Sequence, residues 1–197
     1  MTTPPRPVRR KEGASLVTTG NIGAARAANL TADDVGDLRA TVRGSLVLPD
    51  DRAYEDARRV WNAAIDQRPA LIVKSSGPAD VVAAVRFSAV RGIPVAVRSG
   101  GHNVSGSGVG EGSLLIDTSA MKGVRVDAGS RTARAGPGVT WGEFDHETQA
   151  FGLATTGGFC SETGIAGVTL GAGFGWLMRA YGTALDNLLS IDIVTAD

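Results

Sequence analysis

Ile93-Pro94-Val95-Ala96-Val97-Arg98-Ser99-Gly100-Gly101-His102-Asn103 runs from an apolar strand straight into a polar, glycine-rich turn. The reading works outward from this stretch. Ile93 to Arg98 alternates, with apolar side chains at Ile93, Val95 and Val97. Just before it, Pro78 to Arg91 has the marks of a helix: Pro78 at its first position, Asp80 in its first turn and Gly92 at its end. Leu71-Ile72-Val73 before that is a short apolar strand. Strand, helix and strand form a compact crossover, which predicts parallel pairing of the two strands.

Further out, Thr31 caps a predicted helix from Ala32 to about Val42, with Asp33 and Asp34 in its first turn. Tyr54 to Ala64 reads as a second helix, with Val60, Trp61 and Ala64 on one side. Ser113–Asp117 is a strand, and Gly123–Val126 with Thr132–Ala135 a hairpin around Asp127-Ala128-Gly129-Ser130. Trp141–Ala150 reads as a helix and Ile191–Thr195 as a final strand. The class is α+β. Residues 1–28, with Pro4, Pro5 and Pro7, read as a loose arm and 29–66 as a helical lead-in. Residues 67–197 form the main domain.

Composition narrows the function. The 197 residues carry 20 Lys+Arg against 20 Asp+Glu, so no basic excess marks a nucleic-acid binder. Cys160 is the single cysteine, which excludes an intramolecular disulfide framework. With only His102 and His146 beside it, no zinc motif forms and no metal is expected. No apolar run approaches the roughly 20 residues of a membrane helix, and no apolar stretch follows Arg9-Arg10 as a secretory leader requires. The expectation is a cytoplasmic protein without membrane or nucleic-acid partners.

Glycine is the anomaly. There are 27, and twenty of them lie between Gly100 and Gly182. Two segments hold most of the signal. In the first, Arg98 to Gly108, glycines permit positive φ, and successive N–H groups can form a nest for a phosphate. Ser99, Asn103 and Ser105 offer side-chain donors. No Gly-Lys pair makes a P-loop, no strict G-x-G-x-x-G occurs, and no helix follows, so a nicotinamide-type fingerprint is disfavoured. The second segment runs from Gly157-Gly158-Phe159-Cys160 through Thr163, Gly164 and Gly167 to Gly175. Its glycines recur every three or four residues, leaving a bare face for a flat ligand or for another backbone.

A lone loop histidine is usually a hydrogen-bonding residue, and a lone cysteine a small buried hydrophobe. His102 and Cys160, however, occupy matching places in two glycine-rich loops, which invites a joint explanation.

Pro94 to Asn103, with its Arg-Ser-Gly-Gly-His102-Asn run, resembles the first flavin-binding segment of the berberine-bridge-enzyme-like FAD-linked oxidoreductases. Gly-Gly-Phe-Cys160 followed by Thr163-Gly-Ile-Ala-Gly-Val-Thr-Leu-Gly-Ala-Gly-Phe-Gly-Trp176 resembles the second. Tyr181–Asn187 with Ile191–Asp197 is similar to the strand that closes the flavin site. The resemblance spans about Arg68 to Asp197. It implies an FAD-binding domain of the p-cresol methylhydroxylase (vanillyl-alcohol oxidase) type, with two small α/β subdomains around the flavin.

The same resemblance implies the site. Arg98, Ser99, Gly100, Gly101, His102, Asn103, Ser105, Gly158, Cys160, Thr163, Gly164, Gly167 and Val194 would contact FAD. His102 would be joined to the flavin 8α-methyl carbon and Cys160 to C6, since an imidazole and a thiolate are suitable nucleophiles. A single link through His102, with Cys160 structural, is the alternative. The reaction implied is hydride transfer from an alcohol, sugar or secondary-metabolite C–H to FAD, with O2 or another acceptor taking the electrons. Thr163 stands where relatives carry Val or Ile sorted by oxygen access, which leaves oxidase and dehydrogenase both open.

In that family the catalytic base sits in a C-terminal substrate domain, so none is assigned in this chain, and a non-catalytic FAD-binding fragment is the other reading. Phe174, Trp176 and Leu177 are expected to lie exposed where that domain would face them.

Overall fold

A four-stranded sheet forms the larger half of the protein, and its register follows from which strands are apolar on both faces. The structure is a computed structural model that describes residues 30–196. The arm read at 1–28 lies outside the described residues. Helix α1 (Ala32–Thr41) begins at Thr31, whose hydroxyl accepts from Asp34 N while Asp34 returns the bond to Thr31 N. Strand β1 (Ser45–Val47), helix α2 (Tyr54–Arg58), strand β2 (Leu71–Lys74), helix α3 (Pro78–Arg91), strand β3 (Val95–Arg98) and strand β4 (Leu114–Asp117) follow. Gly92 ends α3 in the left-handed conformation, with φ 63°.

The sheet order is β1-β2-β4-β3. β1 runs antiparallel to β2, and β4 pairs in parallel with both β2 and β3. The crossover strands are therefore parallel as expected, but they do not pair with each other: β4 lies between them. The reason is burial. A central strand must be apolar on both faces, and Leu114, Leu115 and Ile116 are all fully buried. β3 alternates and suits an edge, but its faces are inverted from the sequence reading. Ala96 and Arg98 are buried while Val95 and Val97 are exposed.

Two cores flank the sheet. Leu46, Leu71, Val73, Leu114 and Ile116 meet Leu38 of α1 and Ala84 and Phe87 of α3 on one face. Val47, Ile72, Ala96 and Leu115 meet Tyr54, Ala57 and Val109 on the other, with Val60 and Ile65 against them. Asp80 knots the first face together. Nearly buried at the start of α3, it accepts from the N–H groups of Arg43, Gly44 and Ser76 and from Ser76 Oγ, at 2.8–3.0 Å.

The second helix stops earlier than the sequence predicts. Continuing past Arg58 would require Ala57 O to accept from Trp61 N. Instead Arg98 Nη2 occupies Ala57 O at 2.5 Å, and Trp61 N donates to Gly101 O at 3.0 Å. Arg59 is extended, and residues 59–65 become a strap laid over the glycine-rich loop.

The smaller half carries the hairpin β5 (Val124–Asp127) and β6 (Thr132–Ala135), helix α4 (Trp141–Gln149) and the short helices α5 (Ile165–Leu170) and α6 (Met178–Tyr181). A capping box between Thr140 and Glu143 starts α4, and Lys122 pairs with Glu143 at 2.6 Å. The predicted final strand at Ile191–Thr195 is not formed. A strand needs a neighbour to take its N–H and C=O groups, and among the described residues none pairs with this segment. An exposed ion pair between Arg134 of β6 and Asp192 is a contact it makes with the hairpin.

Candidate functional site

The C-terminal ends of β3 and β4 set the position of the first glycine-rich loop. Arg98 and Asp117 are register partners at those ends, and Arg98 Nη2 lies 2.7 Å from Asp117 Oδ2. Arg98 also donates to Arg59 O at 2.9 Å and to Ala57 O. The sequence reading gives Arg98 to the cofactor; the structure commits its buried side chain to this ion pair and to the strap. Asp117, closing an otherwise apolar strand, is a partner the sequence reading missed.

Beyond Arg98 the loop carries donors with nothing to donate to. Among the described residues, none of the backbone N–H groups from Ser99 through Ser105 has an acceptor. The side chains differ. Ser99 Oγ donates to Pro137 O. Asn103 Oδ1 accepts from Ser105 Oγ at 2.7 Å and from Ser107 N and Oγ at 3.1 and 3.0 Å. The Ser99 and Ser105 hydroxyls are thus spent within the protein, and the backbone carries the anion-binding capacity.

The second segment meets this loop directly. A Cβ built on Gly100 would fall 2.5 Å from Gly164 N, and one on Gly164 would fall 2.8 Å from Gly100 N. Only glycine at both positions lets the two backbones touch. The contact lies two residues from His102 in one loop and four from Cys160 in the other. The second loop is pinned from behind. Trp141 N donates to Thr163 O at 3.0 Å, Gly142 N to Ser161 O at 2.9 Å and Thr163 N to Cys160 O at 3.2 Å. The Trp141 indole packs on Gly157 and Gly158.

Of the two readings of these glycines, Gly100, Gly158 and Gly164 serve close packing. Gly167, in α5, has open space where a Cβ would go. Cys160 is exposed with a free thiol. His102 is half-buried under Trp61, the rings stacked with centroids 5.6 Å apart and planes 21° apart. Val194 is half-buried, but no hydrogen bond joins its segment to either loop among the described residues.

Around the second loop the surface is aromatic and open: Phe159, Phe174, Trp176, Leu177 and Tyr181 are exposed, and Phe159 meets Trp176 edge to face at 5.0 Å. A separate cleft of about 180 Å³ lies behind it, between α4 and Gly157-Gly158, lined by Asp145, Thr148 and Trp176. That is below the roughly 300 Å³ at which small-molecule sites begin. Burial pushes the Asp145 carboxyl above its usual range.

A bulky dinucleotide with a pyrophosphate fits the open face in three respects. The loop offers a run of free N–H donors, Gly167 leaves room over the second backbone, and the histidine and cysteine loops meet at one contact. A profile of the FAD binding domain family matches residues 69–197. The chain belongs to that family.

Its relatives are FAD-linked oxidoreductases. It is 35% identical to (R)-6-hydroxynicotine oxidase of Paenarthrobacter nicotinovorans over 79% of this chain and 34% of that protein. It is 33% identical to aclacinomycin-N/aclacinomycin-A oxidase of Streptomyces galilaeus over 94% of this chain and 35% of that one. The solved structure of 6-hydroxy-D-nicotine oxidase from Arthrobacter nicotinovorans superimposes with a TM-score of 0.72, at 34% identity, over 74% of this chain and 32% of that one. A grass pollen allergen with glucose dehydrogenase activity gives a TM-score of 0.77 at 28% identity, over 83% and 36%. The FAD-binding fold of the p-cresol methylhydroxylase type expected from the sequence is thus shown. The chain spans about a third of the length of these relatives.

Proposed function

We propose that this chain is the FAD-binding part of an oxidoreductase acting on a small alcohol, sugar or secondary metabolite, with the flavin anchored at His102 and Cys160. The observation that carries the reading is the Gly100–Gly164 contact, which brings the loop of free N–H donors and the cysteine loop to one place. The backbone of Ser99 to Asn103 holds the pyrophosphate through those N–H groups. Gly167 leaves a flat approach over α5. His102 and Cys160, one on each loop, fix the ring system from two sides. FAD held by these residues would supply the hydride acceptor for a substrate C–H, with O2 as the final electron acceptor. The relatives act on chemically diverse small molecules by their names, an oxidase of 6-hydroxynicotine and one of aclacinomycin among them, which supports a small-molecule substrate.

The test is the mass of the denatured protein after purification with FAD, for wild type, His102→Ala, Cys160→Ala and the double variant. Wild type is expected to carry one flavin, each single variant to keep it, and the double variant to lose it. A flavin lost completely on His102→Ala alone reduces the reading to one link. A wild type that neither binds nor retains FAD overturns it.

A further inference from the structure

Trp61 is a large aromatic side chain left 66% exposed, on a strap whose Val60 and Ile65, not Trp61, pack against the core. It precedes residue 69, where the family match begins. Yet its surroundings are built. Trp61 N donates to Gly101 O at 3.0 Å, on one side of His102. Asn62 Nδ2 donates to Val104 O at 2.9 Å, on the other. Asn62 Oδ1 accepts from Ala64 N at 3.1 Å, which fixes the amide that makes the second tie. Arg98 holds the start of the strap through Ala57 O and Arg59 O. Ile65 presses on Gly106, where an added Cβ would fall 2.8 Å from its side chain. The strap therefore grips the loop at residues 101, 104 and 106, and the Trp61 indole lies over the His102 imidazole between the first two.

A histidine on a polar glycine-rich loop samples several rotamers, and attachment at one ring nitrogen succeeds from few of them. A stacked indole removes most of that freedom, because an offset parallel pair tolerates only a narrow range of ring orientation. We propose that Trp61 is a positioning residue that sets the plane of the His102 imidazole, with Asn62 holding the loop in register beneath it. The proposal rests on the reading of His102 as a flavin anchor. Attachment would exchange the imidazole N–H and one C–H of the flavin 8α-methyl for a C–N bond, with two protons and two electrons going to O2 as hydrogen peroxide. Trp61 takes no part in that exchange; it holds the nitrogen where the exchange happens.

Two measurements on the full chain test this. In a His146→Ala background His102 is the only histidine, so its imidazole C–H resonances are read directly by NMR without FAD. The indole ring current displaces them in wild type. The displacement is expected to vanish in Trp61→Ala and to persist in part in Trp61→Phe. Flavin retained after denaturation, followed in time after adding FAD to flavin-free Cys160→Ala protein, is expected to accumulate about tenfold more slowly in Trp61→Ala, with recovery in Trp61→Phe. Asn62→Ala, which leaves the indole in place, is expected to slow it less. Imidazole resonances unmoved by Trp61→Ala overturn the proposal. So does flavin attachment at the wild-type rate once the displacement is gone. Absence of flavin on His102 in the wild-type chain overturns the anchor reading instead, and is told apart because the ring-current displacement is measured without cofactor.

Discussion

Arg98 and Asp117 are register partners on parallel strands, and their charges meet 2.7 Å apart with side chains only 8% and 3% exposed. The pair closes the sheet beneath the first glycine-rich loop and, through Ala57 O and Arg59 O, also anchors the strap. Removing one partner leaves a buried charge alone. Arg98→Ala is expected to cost about 3–5 kcal/mol of stability, measured by urea denaturation. Arg98→Met with Asp117→Leu is expected to recover much of that cost while leaving the strap loose, so that the Trp61 ring current on His102 is lost.

Close approach at Gly100 and Gly164 makes a sharper prediction. Gly164→Ala brings its Cβ to 2.8 Å from Gly100 N and 3.0 Å from Gly100 Cα, backbone that cannot give way, and to 2.9 Å from Ser99 Oγ. FAD affinity is expected to fall at least tenfold in Gly100→Ala and in Gly164→Ala. The double variant should be little worse than either, since both open the same contact. Isothermal titration with FAD reads all three. Gly167→Ala, built into open space, is the control: it leaves the fold intact, and any loss of FAD affinity reports the flavin's own approach to α5.

Several carboxylates shape the acid limb of stability, Asp34 among them. Thr31 N–H first, and then the Arg91 guanidinium, lower the Asp34 pKa to about 2. The unfolded value is about 3.9, so this stabilisation is complete above about pH 4 and is lost as pH falls towards 2. The stability difference between wild type and Asp34→Asn is expected to be constant at neutral pH and to shrink over that window in denaturant titrations.

Asp80 behaves in the same sense for a different reason. Burial pushes its carboxyl up, but hydrogen bonds from Ser76, Arg43 and Gly44 outweigh this and hold it below the ordinary carboxylate range. Its contribution is likewise present above its unfolded pKa and lost on acidification through the lower folded value. Asp80→Ala leaves the N–H groups of Arg43, Gly44 and Ser76 without their acceptor and is expected to cost about 2–4 kcal/mol at pH 7, read as a fall in the denaturation midpoint.

Trp176 is 83% exposed, with Phe159 edge-on to it and Phe174, Leu177 and Tyr181 exposed nearby. A contiguous apolar surface of this kind drives association. Sedimentation velocity is expected to show concentration-dependent self-association of the 197-residue chain that Trp176→Ser with Phe174→Ser reduces.

The sequence by itself determined most of the elements and the family. Helix α3 is bounded by Pro78 and Gly92, α1 and α4 start at threonine caps with an acid three residues on, and the two glycine-rich segments carry His102 and Cys160. All of these are local signals, written in the residues that form them. The FAD binding domain match confirms what those segments imply about the fold.

What required the tertiary structure was every relation between distant residues. β4 could take the central place between β2 and β3 only because it is apolar on both faces, a competition among strands that no single strand shows. The second helix ended at Arg58 because Arg98, forty residues on, took the Ala57 carbonyl and Gly101 took the Trp61 N–H. The periodicity of Tyr54–Ala64 carried no trace of that theft. Trp61, read from sequence as a helix face, was thereby delivered to His102. Local propensity fixes which residues can form a helix; long-range hydrogen bonds to the same donors and acceptors decide where it stops.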